Sequence, residues 1–250
     1  MAKPKFIELG FGKRAEQLPI VYEDRSVIAI DKPAGWMLVP FSWQKTSRNL
    51  QAAITSSIAA GDYWARSRNL KFLKAVHRLD ADTSGILLFA KSMGAVDSYG
   101  DLFESRKMEK VYLAVSRGVP KEKEWTCELK LSQDPDAIGR VKVDDGSGKE
   151  CQTSFKLLET RESSSGPLSL IEAHPYTGRT HQIRVHLAEA QLPIVGDPLY
   201  GYKAVLNTRG SDPDFPLGLR AVALSYVDPF INKRVDIRAP KAAFLKAFGF

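Results

Sequence analysis

Nine consecutive residues, His77-Arg78-Leu79-Asp80-Ala81-Asp82-Thr83-Ser84-Gly85, bring together an imidazole, a guanidinium, two carboxylates and two hydroxyls. They lie between two apolar runs, FLKAV (72–76) and ILLFA (86–90), a setting in which a rigid scaffold can present side chains from a loop. A carboxylate beside a fixed guanidinium stays ionised and can act as a nucleophile or a base. Asp, Thr, Ser and Gly are also ordinary turn formers. The residues alone therefore leave a catalytic loop and a plain turn both open.

The second polar cluster is TGRTHQIRVHL, Thr177 to Leu187. Read as a strand, its alternation puts His181, Ile183, Val185 and Leu187 on one face and Thr180, Gln182, Arg184 and His186 on the other. A polar row in a central strand needs partners, and an Arg within it wants a carboxylate or a phosphate. His174, His181 and His186 raise the question of zinc. On the strand reading 181 and 186 face opposite ways, no Cys or Glu completes a set, and a five-residue step fits no metal motif. In KMEKVYLAV (107–115), Val111, Leu113 and Val115 form an apolar face, with Lys110, Tyr112 and Ala114 opposite. A lone Tyr in such a place is commonly an aromatic covering a sheet edge. The chain has no Gly-rich phosphate loop, no GxSxG elbow and no Cys in a basic setting with a partner His. The carboxylate of the 77–85 loop is thus the leading nucleophile.

These clusters need elements to hold them. Residues 20–32, IVYEDRSVIAIDK, read as strand, turn at Glu23-Asp24, and a second strand from Val27 to Ile30, broken by Asp31-Lys32-Pro33-Ala34-Gly35. Asn49 to Ala60 reads as a helix ended by Gly61, and Ala95 to Arg106 has helical spacing. The run 86–90 is short and wholly apolar, which favours a buried strand. Further strands are expected at Lys110–Ser116, Trp125–Leu131, Arg140–Val143, Cys151–Leu158, Leu168–Ala173 and Arg179–Leu187, with hairpin loops at 144–149 and 161–167. The pattern is that of one continuous α+β domain on a large mixed, mostly antiparallel sheet.

At 250 residues and 44% hydrophobic content the chain can bury a real core. It has no apolar run of roughly 18 residues that would span a membrane and no secretory h-region near its start. Cys127 and Cys151 could face each other across a hairpin, but two thiols in a chain of this size read as reduced residues of a cytoplasmic protein. The net charge of +7 suits a polyanionic partner.

HRLDADTSG resembles the HRLD-x-x-TSG signature of the RluA-type pseudouridine synthases. Four further segments are similar to that family's motifs, in the same order: Asp31-Lys32-Pro33-Ala34-Gly35 (DKPxG), Glu109 to Val115 (EKxYxAxV), Thr177 to Leu187 (TGRxHQIRxHL) and Gly196-Asp197-Pro198-Leu199-Tyr200-Gly201 (GDxxYG). The resemblance implies the pseudouridine synthase fold, a large bent mixed sheet with flanking helices and a central RNA cleft. It also implies an isomerase that converts uridine in structured ribosomal or transfer RNA to pseudouridine with no cofactor and no metal. Asp80 would be the nucleophilic carboxylate, Tyr112 the aromatic hydroxyl on the target base, and Arg184 the ion-pair partner of Asp80. Arg78 would fill the vacated stack or clamp a phosphate. Lys32, Lys110, Thr83, Arg179 and Gln182 are expected to bind substrate.

The sequence departs from the family pattern in two places. Leu219-Arg220-Ala221 stands where an LHA tripeptide is usual, and Pro216 stands where the Arg before it would be, a departure that bears on the RNA contacts expected from the resemblance there and not on the chemistry. About twenty residues precede the first matched strand, so the expectation is a single catalytic domain over residues 1–250 with no separate N-terminal RNA-binding module. A monomer with no membrane attachment is expected. The rival reading is a non-catalytic RNA-binding or RNA-remodelling protein on the same scaffold. A glycosidase or nuclease using Asp80 with Asp82 is disfavoured, because loop positions two apart seldom flank one bond.

Overall fold

The computed structural model describes residues 3–10, 15–38, 48–201 and 216–250. They form two compact units: Met1–Met108 with Ala223–Ala239, and Glu109–Val222 with Pro240–Phe250. Strands dominate both, with few helices, which is the α+β class expected from the sequence.

The first unit is built on β1 (Phe6–Leu9), β2 (Glu16–Glu23), β3 (Val27–Lys32), β4 (Lys74–Ala75), β5 (Ser84–Ala90), the last five residues of β11 (Leu219–Val227) and β12 (Arg234–Arg238). The order is β1-β2-β3-β5-β11, with β4 also on β5 and β12 also on β11. The described pairings β1–β2, β2–β3, β3–β5 and β11–β12 are antiparallel. Asp24 sets the β2–β3 turn, because its Oδ1 accepts the amides of Ser26 (2.7 Å) and Val27 (2.8 Å), as Asx turns do. Three helices accompany these strands: α1 (Leu50–Ala59), α2 (Tyr63–Arg66) and α3 (Met93–Glu104). Asn49 caps α1 and Ser92 caps α3, each accepting an amide three residues on. Val27–Ile30 of β3 and Ile86–Ala90 of β5 are apolar and buried because both faces are covered. Val27, Ala29, Ile86 and Leu88 pack with Tyr99 of α3 and with Tyr226 and Ile237.

The second unit holds β6 (Glu109–Arg117), β7 (Glu124–Gln133), β8 (Val141–Val143), β9 (Lys149–Arg161), β10 (Leu168–Pro175) and the first four residues of β11, with α4 (Gln182–Glu189) and α5 (Ala242–Ala247). Its order is β11-β6-β10-β9-β7-β8. Tyr112, Ala173, Phe155 and Trp125 lie directly opposite one another across β6, β10, β9 and β7, and so share one face. The 161–167 hairpin joins β9 to β10 as expected. The 144–149 segment does not join a hairpin: β8 and β9 each pair with β7, in registers that meet at Leu131.

The largest correction concerns residues 179–187, expected as a strand. They form a turn and then α4, entered through His181 in the left-handed region (φ 53°). Gln182 through Leu187 are all buried. A helix covered on every side has no polar stripe, so no 3.6-residue period marks it and the accidental alternation of HQIRVHL reads as a strand. The division of Thr180 to Leu187 into two strand faces falls with it.

The LRA departure has a structural account. Arg220 is buried and donates from Nε and Nη2 to the Pro240 carbonyl, at 3.0 and 2.6 Å. It thereby ties β11 to the segment carrying α5, whose surroundings Phe244, Leu245, Phe248 and Phe250 pack on Val111, Leu113, Val115 and Val222. Both cysteines are free thiols, on β7 and β9.

Candidate active site

The loop before β5 holds Asp80 half-buried between the buried Leu79 and the half-buried Ala81. Its backbone is pinned through the Ala81 carbonyl, which accepts the Gly35 amide at 2.9 Å and Lys32 Nζ at 2.8 Å. Lys32 has no exposed surface, and its ammonium also donates to the carbonyls of Pro33 (3.0 Å) and Trp36 (3.1 Å). The DKPAG segment is thus the buttress of the Asp80 loop. This corrects the expectation for Lys32: its three hydrogens go to backbone carbonyls, so it holds the loop and does not present itself to a substrate. His77 helps at the other side. Its Nε2 accepts the Leu88 amide at 3.1 Å and its ring stacks on Phe103, 4.5 Å between centroids.

Burial pushes Lys32 down from 10.5 to about 8, against the opposing pull of Asp82 and Asp80. The consequence for stability has a definite sign. Between pH 8 and 10.5 the unfolded chain keeps this proton while the folded protein releases it, so folding becomes more favourable as pH rises. The stability of the wild type relative to Lys32→Met is expected to increase by about 3 kcal/mol across that window. Urea unfolding of both proteins at a series of pH values measures it; a difference independent of pH would remove the buried charge from this loop.

Thr83 is buried, and its Oγ1 has no protein partner among the described residues. Arg78 and Asp82 are exposed.

In the second unit, Tyr112 and Lys110 lie two apart on β6 and share a face, both half-buried. Lys110 Nζ donates to the Thr177 carbonyl at 3.1 Å, and burial pushes it down to about 8. Thr177 opens the turn into α4. Gln182 closes that turn: Oε1 accepts Thr177 Oγ1 (2.7 Å) and the Arg179 amide (3.0 Å), while Nε2 donates to the Gln152 carbonyl and Thr153 Oγ1, both at 2.9 Å. All four bonding positions of the amide are taken within the protein. Gln182, expected as a substrate contact, shapes the turn instead. Arg179 is exposed, with Nε 3.3 Å from the Glu150 carbonyl.

Arg184, on α4, makes a two-pronged pair with Asp197: Nε to Oδ2 and Nη2 to Oδ1, both 2.7 Å, with side chains 3% and 0% exposed. Asp197 Oδ1 also accepts the amides of Leu199 (2.9 Å) and Tyr200 (3.0 Å). The Tyr200 ring lies 5.3 Å from the Arg184 guanidinium carbon. Its hydroxyl accepts the Val141 amide at 2.8 Å and stands 3.1 Å from His181 Nδ1. Besides Asp197 and Tyr200, the two glycines of GDPLYG have physical parts here. Gly196 sits at φ 71°, and a Cβ on Gly201 would stand 2.3 Å from the Asp197 carbonyl oxygen. Asp197 and Tyr200 carry no assignment from sequence; the motif was visible, its side-chain partners were not.

The histidines take separate partners. His174 meets Glu172 at 2.9 Å. His186 Nε2 stands 3.2 Å from Cys151 Sγ in a buried pair, where burial pushes the imidazole down to about 4 and the thiol up to about 11. Neither group is prepared for nucleophilic work.

A family-level profile described as RNA pseudouridylate synthase matches residues 26–189. The chain is 32% identical to ribosomal large subunit pseudouridine synthase D of Neisseria meningitidis over 95% of its own length and 62% of the relative. It is 33% identical to ribosomal large subunit pseudouridine synthase C of Yersinia pestis over 88% of its own length and 65% of that protein. An uncharacterised RNA pseudouridine synthase of Bacillus subtilis is 32% identical over 92% of this chain and 70% of its own. The chain thus spans a little under two thirds of the first two relatives. Among solved structures, human RNA pseudouridylate synthase domain containing 1 superposes with a TM-score of 0.68 at 26% identity, covering 89% of this chain and 83% of that one.

Proposed function

This chain belongs to the RluA-type RNA pseudouridylate synthases, and from that premise we propose that it isomerises uridine to pseudouridine in structured RNA, without a cofactor. The observation that carries the reading is the HRLDADTSG loop, with a half-buried Asp80 braced by a wholly buried Lys32. Asp80 is the nucleophilic carboxylate. Uracil leaves its ribose, turns, and rejoins through C5, with no net change in composition. A uridine stacked in a helix is out of reach, so it must be flipped out or taken from a loop. Tyr112 packs on the base and, with water, accepts the C5 proton. Arg184 is the guanidinium that the family resemblance couples to Asp80. Arg78 and Arg179, both exposed, contact RNA, together with Lys110 and Thr83.

Ribosomal RNA is the first substrate to test, because two relatives carry the ribosomal large subunit in their names; transfer RNA is the second. We take residues 1–250 as one catalytic domain acting as a monomer in the cytoplasm. No described helix is long and apolar enough to cross a membrane. The test is tritium release from transcripts carrying [5-³H]uridine. RNA binding without release would favour the non-catalytic reading.

Tyr112→Phe separates a catalytic hydroxyl from a packing ring. The variant keeps the aromatic face and should bind RNA as the wild type does. Release of the C5 hydrogen is expected to slow about 10²-fold, the scale for losing a general base. Single-turnover release beside a binding titration reads both; an unchanged rate would demote Tyr112 to packing.

A further inference from the structure

We infer that Asp197, backed by Tyr200, is a positioning residue that fixes which edge of the Arg184 guanidinium is offered to the reaction. A guanidinium has five N–H donors in a planar fork. Asp197 takes the side-on pair, Nε and Nη2, at 2.7 Å each. That choice leaves the end-on edge, with the Nη1 hydrogens, pointing in one direction only. The carboxylate cannot swing to release it, because the amides of Leu199 and Tyr200 hold Oδ1. The Tyr200 ring beside the guanidinium closes the remaining freedom. That ring is itself tied down: its hydroxyl accepts from Val141 of β8 and lies against His181, the residue that starts the helix bearing Arg184. Both members of the ion pair are almost wholly buried, so water does not loosen the grip. A merely neutralising carboxylate would need none of these supports.

The inference rests on the proposed isomerase activity and on Arg184 taking part in it. Orientation matters at the scale of about 1 Å, which can cost on the order of 10²-fold in rate. Asp197→Glu is the informative variant, because it keeps the charge and moves the carboxylate by one methylene. Its single-turnover tritium release from [5-³H]uridine transcript is expected to fall about 10²-fold. Its circular dichroism and RNA dissociation constant should stay close to those of the wild type. A wild-type rate in folded Asp197→Glu overturns the inference, as does a rate loss matched by an equal loss of RNA affinity. If Asp197→Glu does not fold, Tyr200→Phe decides. It keeps the ring and the ion pair but releases the ring from β8, with a loss of roughly tenfold expected at unchanged binding; a wild-type rate overturns the inference. Absence of release by the wild type on ribosomal and transfer RNA is a separate result. It would sink the isomerase reading, and the inference with it, before any variant is compared.

Discussion

Asp80→Asn is expected to leave less than about one per cent of wild-type turnover while RNA binding changes little. The amide keeps the size and shape of the side chain and loses the charge that a nucleophile or base requires. Two decades of rate correspond to about 2.7 kcal/mol of barrier, modest for the loss of a covalent group. The fold should survive, because the described anchors of the loop are backbone atoms: the Ala81 carbonyl with Lys32 and Gly35. One secondary effect follows from the electrostatics. Asp80 is one of two carboxylates that oppose the burial of Lys32, so in the Asn variant Lys32 should release its proton at a lower pH still. Turnover on labelled transcript and a filter-binding titration test the assignment, and residual activity above that level would remove Asp80 from the nucleophile's role.

Arg184→Met should cost both activity and about 3–5 kcal/mol of stability. The stability loss comes from Asp197, whose fully buried carboxylate would lose its two-pronged partner, and breaking a buried pair on one side costs in that range. Asp197→Asn should be comparably damaging, since it strands the guanidinium instead. The double variant is expected to recover part of the loss, as coupled groups do. Denaturant unfolding of the four proteins closes the cycle, and additive losses would mean that the pair is not energetically coupled despite its 2.7 Å contacts.

Sequence reading placed β3, β5, β6, the β9–β10 hairpin, α1 and α3, because each carries either a clean period or an obvious cap. It missed β1, whose four residues FIEL are too few to show alternation. It mistook α4 for a strand because a helix buried all round has nothing to alternate with. At the site, the loop of Asp80 was legible from its dense polar chemistry. Lys32 and Gln182 were not, since a polar side chain that bonds the protein's own backbone looks in sequence like one that awaits a ligand. Asp197 was hidden for a related reason. Its partner is thirteen residues away and on another element, and no local pattern encodes such a pairing.

Each compact unit is assembled from two stretches of chain, and this bears on how the protein emerges from a ribosome. The unit begun by Met1–Met108 is completed by Ala223–Ala239, so 131 residues must be made after Met108 before it is whole. At about 5–20 residues per second that is a delay of about 7–26 s. During it β5 has no β11 beside it, and Tyr99 lacks Asp228, to which its hydroxyl donates at 2.6 Å. The apolar surface of Val27, Ala29 and Leu88 waits for Tyr226 and Ile237. A nascent chain in that interval displays an unpaired, largely hydrophobic strand edge, the kind of surface that aggregates or recruits a chaperone.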